Sequence, residues 1–219
     1  MTIIPAILSD STETIQSQLD RVQNETELTR VQVDIVDAEF SDETTVSPID
    51  LLQFHNETID IDIHLMTNDP INDVVECSQV PHIRGIIAQI EHMSSQHAFV
   101  EHVKSYNLRV GLSIDLTTPI EELDPQVLGS LDMIQVMDIQ AGAQGRPFGG
   151  EKALKHIREI KQVLEEKGLE HIEVLADGGI NTRTEIDVID SGADALVVGS
   201  ALWNATDLQE AIEKLQRTA

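Results

Sequence analysis

The stretch VQVDIVDAEF, residues 31–40, decides how the rest of the chain is interpreted. Its first six residues alternate as in a β-strand, so that one face is aliphatic and the other carries Gln32, Asp34 and Val36. A carboxylate in the middle of an apolar strand costs free energy unless it is bound or used. We therefore interpret Asp34 as a functional residue and not as a solvated turn residue.

Two other apolar segments carry polar residues in a similar way. Residues 59–66 alternate between an aliphatic face and a face with Asp60, Asp62, His64 and Met66. Asp177 ends the mostly apolar run 172–176 and is followed by two glycines. We expect Asp34, His64 and Asp177 to share one polar centre. Asp60 and Asp62 are interpreted instead as solvated residues of an unusually acidic chain.

Short aliphatic runs alternate with amphipathic segments along the whole chain. The predicted strands are residues 2–8, 30–36, 59–65, 85–88, 109–114, 133–137, 172–176 and 195–198. The predicted helices are residues 12–23, 69–78, 96–106, 119–127, 152–166, 183–190 and 207–215, with the weakest helical pattern around 48–55. Parallel strands need helical crossovers, so eight such units predict a parallel (β/α)8 TIM barrel. A doubly wound open sheet is the alternative, although it usually has fewer strands at this length.

Composition limits the classes of partner and the cellular location. The net charge of −25 argues against nucleic acid and anionic membrane surfaces as partners. The single cysteine, Cys77, excludes a disulfide within the chain and fits a reducing cytoplasm. No apolar run approaches the roughly 20 residues that span a bilayer, and the first residues lack the pattern of a signal peptide. We expect a soluble, cytoplasmic protein with one domain over residues 1–219.

Glycines at the ends of the last strands predict a phosphate site. The relevant segments are Gly178-Gly179 after the seventh strand, Gly199-Ser200 after the eighth, and Gly142 to Gly145 in the long loop after the sixth. Backbone N–H groups of the first two segments can converge on an anion at a helix start, and the loop can close over it. Arg146 adds a cation in a chain with only 14 basic residues.

The chain resembles the ribulose-phosphate 3-epimerase family along nearly its whole length. The resemblance is carried by IPAILS at 4–9, VDIVD at 33–37, DIHLM at 62–66 with NDP at 68–70, VGL at 110–112 with TP at 118–119, the loop 137–148, DGGIN at 177–181, GAD at 192–194 and GSA at 199–201. No single segment decides the matter. The ordered set predicts the family and a TIM barrel of the ribulose-phosphate-binding type.

The resemblance implies an isomerase of the pentose phosphate pathway, an epimerase that inverts carbon 3 of a ketopentose 5-phosphate, converting D-ribulose 5-phosphate to D-xylulose 5-phosphate. Asp34 and Asp177 match the two family aspartates that remove and return the proton. The same two residues, His64 and the position of Gln32 match the ligands of a divalent metal ion (Mn, Mg, Fe, Co or Zn), which stabilises the enediolate.

The resemblance also implies a pocket for a phosphorylated sugar and, since family members are commonly oligomers, a homo-oligomer. The matching substrate-binding residues are Ser9, Met66, Met137, Gly142, Gly145, Arg146, Gly178, Gly179, Gly199 and Ser200. The two methionines match side chains that line the pocket and cover the intermediate.

Several residues depart from the family pattern. Gln32 stands in place of a metal-binding histidine, and its weak amide oxygen should lower metal affinity and favour Mg²⁺ or Mn²⁺ over Zn²⁺. The other departures are Ala6 for serine, Val36 for methionine, Gln89 for histidine, and Gln144 and Arg146 for glycine and glutamine.

Two alternatives to the pentose-phosphate epimerase follow from these departures. One is an epimerase or isomerase of another sugar phosphate, for example allulose 6-phosphate, with a pocket altered by Ala6, Val36 and Gln89. The other is a barrel that binds a phosphorylated sugar without catalysis. The combination of Asp34, His64 and Asp177 favours catalysis, because a binding protein has no need of two opposed acids.

Overall fold

The computed structural model describes residues 1–142 and 145–216. Eight parallel strands form a closed barrel in chain order, and β1 pairs with β8. The strands are β1 (Thr2–Ile7), β2 (Arg30–Val36), β3 (Asp60–Met66), β4 (Ile83–Gln89), β5 (Arg109–Ile114), β6 (Met133–Met137), β7 (Glu173–Asp177) and β8 (Ala195–Val198). The predicted (β/α)8 barrel is confirmed, and the open sheet is excluded because no strand of the barrel is an edge.

Helices and 3₁₀ turns surround the barrel. The α-helices are α1 (Thr12–Glu25), α2 (Val74–Cys77), α3 (Gln96–Ser105), α4 (Glu151–Lys167), α5 (Glu185–Asp190), α6 (Ser200–Trp203) and α7 (Leu208–Gln216). The 3₁₀ helices are Pro48–Gln53, Pro70–Asp73, Ile120–Glu122 and Leu128–Ser130. No helix in the described part of the chain is long and apolar enough to cross a membrane.

The helix predicted over residues 119–127 is wrong. The chain there forms only two short 3₁₀ turns, one on each side of Pro125. Proline lacks a backbone donor and disfavours the helical conformation of the residue before it, so a continuous helix cannot pass through this position. The amphipathic pattern of the segment still serves packing, because Leu123, Val127 and Leu128 are buried.

The strands have two differently occupied faces. Their outer faces pack against the helices and form the main core, which includes Val31, Val33 and Ile35 as the alternation predicts. A second, smaller apolar cluster fills the inside of the barrel and consists of Ile4, Ala6, Ile87, Met133, Leu175, Ala195 and Val197. The inward-facing polar residues of β2 and β3 therefore lie in a closed interior, where unpaired charge is costly.

Asp62 corrects the sequence analysis, which interprets it as solvated. Its side chain is 1% exposed and accepts hydrogen bonds from Arg30 Nε at 2.6 Å and from Arg84 Nη1 at 2.8 and 2.9 Å. Glu173 joins the group, since it accepts from Arg30 Nη1 at 2.8 Å. We call these four residues the floor cluster, because they lie toward the amino ends of their strands. The exposure expected for Asp60 is confirmed.

Candidate active site

Three acidic or imidazole side chains meet at the carboxyl ends of β2, β3 and β7. The register sets Asp34 directly opposite His64, and Asp177 is the last residue of β7. His64 Nδ1 lies 3.1 Å from Asp34 Oδ1 and 4.0 Å from Asp177 Oδ2. One ligand atom from each residue lies within 4.8 Å of the other two, and all three residues are buried. The structure thus brings the predicted polar centre together.

Two glutamine amides complete this cluster from inside the barrel. Gln32 Nε2 donates to Asp34 Oδ1 at 2.8 Å and to Asp177 Oδ2 at 2.9 Å. Gln135 Nε2 donates to Asp177 Oδ2 at 2.8 Å and lies 3.1 Å from His64 Nδ1. The Oε1 atoms of both amides are buried and have no hydrogen-bond partner within the described residues. Gln135 is not among the site residues predicted from the sequence, although it shares the inward face of β6 with Met133 and Met137.

A third glutamine fixes the tautomer of His64. When the Gln89 amide turns its oxygen toward Ser113 Oγ (3.1 Å), its nitrogen donates to Ser113 O at 3.2 Å and to Glu91 Oε2 at 2.7 Å. In this orientation the amide oxygen is also the atom 3.4 Å from His64 Nε2, which favours the ring proton on Nε2. Nδ1 then carries a lone pair that faces the amide nitrogens of Gln135 at 3.1 Å and Gln32 at 3.4 Å, and it is this lone pair that a metal-binding histidine uses.

Burial and charge perturb two aspartates near the cluster. Burial and the negative charge of Asp34 raise the pKa of Asp177 to about 7, and His64 and the Gln32 hydrogen bond oppose this shift. Asp138 follows β6 and is fully buried, and burial followed by the charge of Asp177 raises its pKa well above the usual range. Neither carboxylate oxygen of Asp138 has a hydrogen-bond partner in the part of the chain described.

A pocket opens beside Asp34 and Asp177. Eight of the predicted substrate-binding residues line it: Met66, Met137, Gly142, Gly145, Gly178, Gly179, Gly199 and Ser200. Ala6, Leu8, Ile139, Ile180 and Val197 complete its wall. Val36, Met66, Met137, Ile139 and Ala141 form an apolar cluster at the mouth. The two aspartates therefore form the bottom of the pocket, apolar side chains form one wall, and glycine-rich backbone forms another.

Ser9 and Arg146 do not line this pocket, although the sequence analysis places both in the substrate site. Ser9 Oγ accepts a hydrogen bond from the backbone nitrogen of Ser11, the N-cap of α1. Arg146 Nη1 donates to the carbonyl oxygens of Gln140 and Ala141 in its own loop. Arg146 lines a neighbouring surface cleft that shares some pocket residues. Gln144 lies outside the described residues.

Two consecutive glycines let the backbone after β7 approach the loop after β6. A Cβ on Gly178 would lie 2.5 Å from Ile139 Cγ1, and one on Gly179 would lie 2.9 Å from backbone atoms of Phe148. Both glycines have positive φ angles, +120° and +68°, which L side chains rarely adopt. Close packing and backbone conformation both require glycine here, so the loop segments are held against each other without side chains between them.

Comparisons with solved structures place this arrangement in a class. The chain superposes on a tryptophan synthase α-subunit mutant from Pyrococcus furiosus with a TM-score of 0.68 and 14% identity, covering 99% of this chain and 97% of that one. It also matches a thiamine phosphate pyrophosphorylase from the same organism with a TM-score of 0.59 and 21% identity, covering 99% and 94% of the two chains. These similarities show that the chain has a TIM-barrel fold, with the acids at the mouth of the barrel.

Sequence comparison narrows the class to a family. The model of the ribulose-phosphate 3 epimerase family matches residues 2–203, and the chain belongs to this family. The ribulose-phosphate 3-epimerase of Bacillus subtilis is 27% identical over 192 residues, which cover 85% of each protein. The corresponding Synechocystis protein is 29% identical over 215 residues, covering 96% of this chain and 90% of the relative. The protein is therefore an epimerase of the isomerase class.

The family uses a divalent metal, and the donor set of this site fits one. With Nδ1 of His64 unprotonated, that nitrogen and Asp34 Oδ1 are two acceptors 3.1 Å apart; without a metal the Gln32 amide nitrogen lies between them, at 3.4 and 2.8 Å, and a cation could take its place. Asp177 adds a second carboxylate. The unpartnered Oε1 of Gln32 supplies a neutral oxygen if the amide turns. Oxygen atoms with one imidazole suit Mg²⁺ or Mn²⁺ better than Zn²⁺.

Proposed function

We propose that the protein interconverts D-ribulose 5-phosphate and D-xylulose 5-phosphate by inverting carbon 3. The observation that supports this most directly is the pair Asp34 and Asp177. These carboxylates come from two strands separated by β1 and β8, yet their oxygens lie within 4.8 Å of each other beside one pocket. Two acids that can approach carbon 3 from different sides allow inversion without rotation of the bound sugar.

The proton transfers follow from the state of the two acids. In the metal-free protein, burial and the charge of Asp34 raise the pKa of Asp177 to about 7, so we assign the role of proton donor to Asp177 and that of base to Asp34. Asp34 removes the proton from carbon 3 on one face, which leaves an enediolate, and Asp177 delivers its proton to the other face. The reverse reaction exchanges the two roles. In the metal-free protein Gln32 hydrogen-bonds to both carboxylates and holds them in position.

Asp34, His64, Asp177 and Gln32 are the residues that we propose to hold the divalent cation. When bound, this cation supplies Lewis-acid stabilisation of the negative charge that develops on the sugar oxygens. His64 presents Nδ1 because the Gln89 amide oxygen, 3.4 Å away, accepts a hydrogen bond from Nε2–H. The identity of the cation follows from the oxygen-rich donor set, which favours Mn²⁺ or Mg²⁺.

The rest of the pocket binds the two ends of the substrate. Met66, Met137 and Val36 cover the reacting carbons and keep water from protonating the enediolate. Backbone groups at Gly178-Gly179 and at Gly199-Ser200 surround the place proposed for the phosphate. Ser9 lies outside this pocket, while Arg146 lines a neighbouring cleft together with Gly179 and Ser200, so we propose Arg146 only as a cation near the phosphate.

A second sugar phosphate is favoured by one observation. Ala6 lines the pocket, and Val36 packs at its mouth beside Met66 and Met137, where the family pattern has serine and methionine. Both side chains are smaller or less polar than those they replace, so they leave room for a substrate with one more carbon, such as allulose 6-phosphate. The proton transfers by Asp34 and Asp177 would be the same.

The wider setting is also part of the proposal. We propose one domain over residues 1–219, a cytoplasmic location and assembly as a homo-oligomer, without nucleic acid or membrane partners. The net charge of −25 supports the exclusion of polyanions. The only cysteine, Cys77, is buried, and burial raises the pKa of its thiol, as in a protein that does not use disulfides.

Solvent deuterium incorporation at carbon 3 tests the reaction. The purified protein is incubated in D₂O with Mn²⁺ and either D-ribulose 5-phosphate or D-allulose 6-phosphate, and exchange is followed by NMR. Asp34→Asn and Asp177→Asn should each lower the exchange rate by at least about 100-fold, since each removes a proton-transfer group. Asp60→Asn changes an exposed acid of β3 and should leave the rate unchanged.

The substrate that exchanges faster is the one assigned to the protein. Exchange in neither sugar phosphate would support the non-catalytic barrel and overturn the proposal. Undiminished exchange in Asp34→Asn or in Asp177→Asn would remove that residue from its role, even if the other variant is inactive.

A further inference from the structure

Gln135 lies at the centre of the acidic cluster but belongs to none of the ligand positions implied by the family pattern. It is the third residue of β6, and its neighbours Met133 and Met137 face the same interior. Its side chain is fully buried. Its amide contacts both Asp177 and His64, whose Oδ2 and Nδ1 atoms are 4.0 Å apart.

The spacing around Gln135 matches one coordination sphere. In a hard-cation site with bonds of about 2.1 Å, neighbouring donors lie about 3.0 Å apart and opposite donors about 4.2 Å apart. The Gln135 amide atom lies 2.8 Å from Asp177 Oδ2 and 3.1 Å from His64 Nδ1. His64 Nδ1 and Asp177 Oδ2 have the wider spacing of 4.0 Å. His64 Nδ1 and Asp177 Oδ2 therefore have the spacing of two opposite ligands of one cation, and the Gln135 amide atom has the position of a third ligand adjacent to both.

In the described part of the chain, only the nitrogen of the amide has hydrogen-bond partners, so the orientation of Gln135 depends mainly on Asp177 and His64, and a cation on those two residues would replace the hydrogen bond to Asp177. Gln135 Oε1 is buried and has no hydrogen-bond partner among the described residues, so turning the amide breaks no hydrogen bond at that end. Without a cation, the NH₂ group donates to Asp177 and offsets part of its charge. After rotation, the oxygen would take the same place and offer a lone pair to a cation. The Gln32 amide can adopt the same two orientations, because its Oε1 also has no hydrogen-bond partner among the described residues.

We propose that Gln135 is a ligand of the divalent cation, so that the site has five protein donors: Asp34, His64, Asp177, Gln32 and Gln135. This inference rests on the metal-dependent epimerase proposed above. Gln135 supplies through β6 part of the affinity that the site loses by having Gln32 in place of an imidazole. With four oxygens and one nitrogen, the site prefers Mn²⁺ or Mg²⁺ to Zn²⁺.

A purely positioning role for Gln135 makes a different prediction. If the amide only donates a hydrogen bond to Asp177, then leucine and glutamate both remove its function, because neither side chain has an NH₂ group. If the amide oxygen binds the cation, leucine removes the function and glutamate keeps it, because a carboxylate is a stronger ligand for Mn²⁺. The pair Gln135→Leu and Gln135→Glu separates these roles.

Mn²⁺ binding in the absence of substrate is the direct test. Free Mn²⁺ is measured by electron paramagnetic resonance during titration of the full-length protein and its variants. Gln135→Leu should weaken Mn²⁺ binding at least about tenfold, and Gln135→Glu should bind at least as tightly as the unaltered protein. Met133→Leu changes the previous inward-facing side chain of the same strand and should bind within twofold. Thermal melts verify that each variant is folded.

The outcomes separate this inference from the epimerase itself. Gln135→Leu binding Mn²⁺ within twofold of the unaltered protein would overturn the ligand role, as would equal loss in the leucine and glutamate variants. No Mn²⁺ binding by the unaltered protein would also overturn it. Failure of the proposed reaction is seen separately, as absent deuterium exchange in a protein that binds Mn²⁺ through Gln135.

Discussion

Replacing Asp62 by asparagine should lower the free energy of unfolding by about 3 kcal/mol. The carboxylate is 1% exposed and contacts two guanidinium groups, those of Arg30 and Arg84, which are only 12% and 17% exposed. Without this charge, Arg30 keeps Glu173 at 2.8 Å, but the nearest remaining ion-pair contact of Arg84 is Glu173 at 3.6 Å. Removing one partner of a buried ion pair costs about 3–5 kcal/mol. We take the lower end because both arginines retain some contact with water.

Urea unfolding followed by circular dichroism and by tryptophan fluorescence measures this change. The only tryptophan, Trp203, donates from Nε1 to the carbonyl of Ala6 at 2.6 Å and so reports on the closure of the barrel at β1. The transition midpoint should fall while its slope stays constant, which shows that stability and not compactness has changed.

Asp60→Asn provides the matched control, because it makes the same chemical change two residues earlier on β3 at an exposed position. Its effect should stay within about 0.5 kcal/mol. A loss below about 1 kcal/mol for Asp62→Asn, or a loss equal to that of Asp60→Asn, would refute the buried-charge argument. Raising the KCl concentration should not restore the Asp62 variant, because buried pairs are little screened.

Two further predictions concern the pocket. Gly179→Ala should raise KM for the sugar phosphate about tenfold or more, because its Cβ would meet the Phe148 backbone at 2.9 Å. Gly150 also has a positive φ but has open space around it, so Gly150→Ala should leave KM unchanged. Equal effects of the two substitutions on KM would contradict the packing argument. The pKa of Asp177 is raised to about 7 in the metal-free folded protein, so the carboxylate binds a proton more tightly there than in the unfolded chain. The bound proton therefore stabilises the folded state, and this stabilisation is lost as Asp177 ionises. The urea midpoint should fall as pH rises from 5 to 8. Asp177→Asn should make this dependence shallower, and an unchanged pH dependence would show that Asp177 does not titrate in this range.

Much of the barrel could be predicted from local pattern alone. The predicted strand of residues 59–65 is observed as Asp60–Met66, and the predicted strand of residues 172–176 as Glu173–Asp177. Alternation with period two needs only neighbouring residues, so it also assigned Gln32, Asp34 and His64 to inward faces correctly. The helix over residues 119–127 failed because amphipathic spacing was given more weight than a proline within it.

What could not be predicted depends on contacts between distant strands. The burial of Asp62 requires Arg30, Arg84 and Glu173, which lie on three other strands and are brought together only by closure of the barrel. Gln135 was different, because a polar residue between two inward-facing methionines was visible in the sequence. An uncharged amide is a weaker indication of function than a buried carboxylate, because its burial costs less free energy.

The two polar groups inside the barrel differ in how their charge is balanced. At the floor, Asp62 and Glu173 face the guanidinium groups of Arg30 and Arg84, so the acids are neutralised by the protein itself. An apolar layer that includes Met133 separates this group from the mouth.

At the mouth, the described residues offer Asp34 and Asp177 no ion-pair partner except His64. The nearby basic residue in the loop after β6, Arg146, binds backbone carbonyls instead. Two buried carboxylates without a fixed cation must take up a proton or a bound cation. The raised pKa of Asp177 is the first of these solutions. A divalent cation would be the second, and it would place a positive charge beside the two acids that transfer the proton at carbon 3.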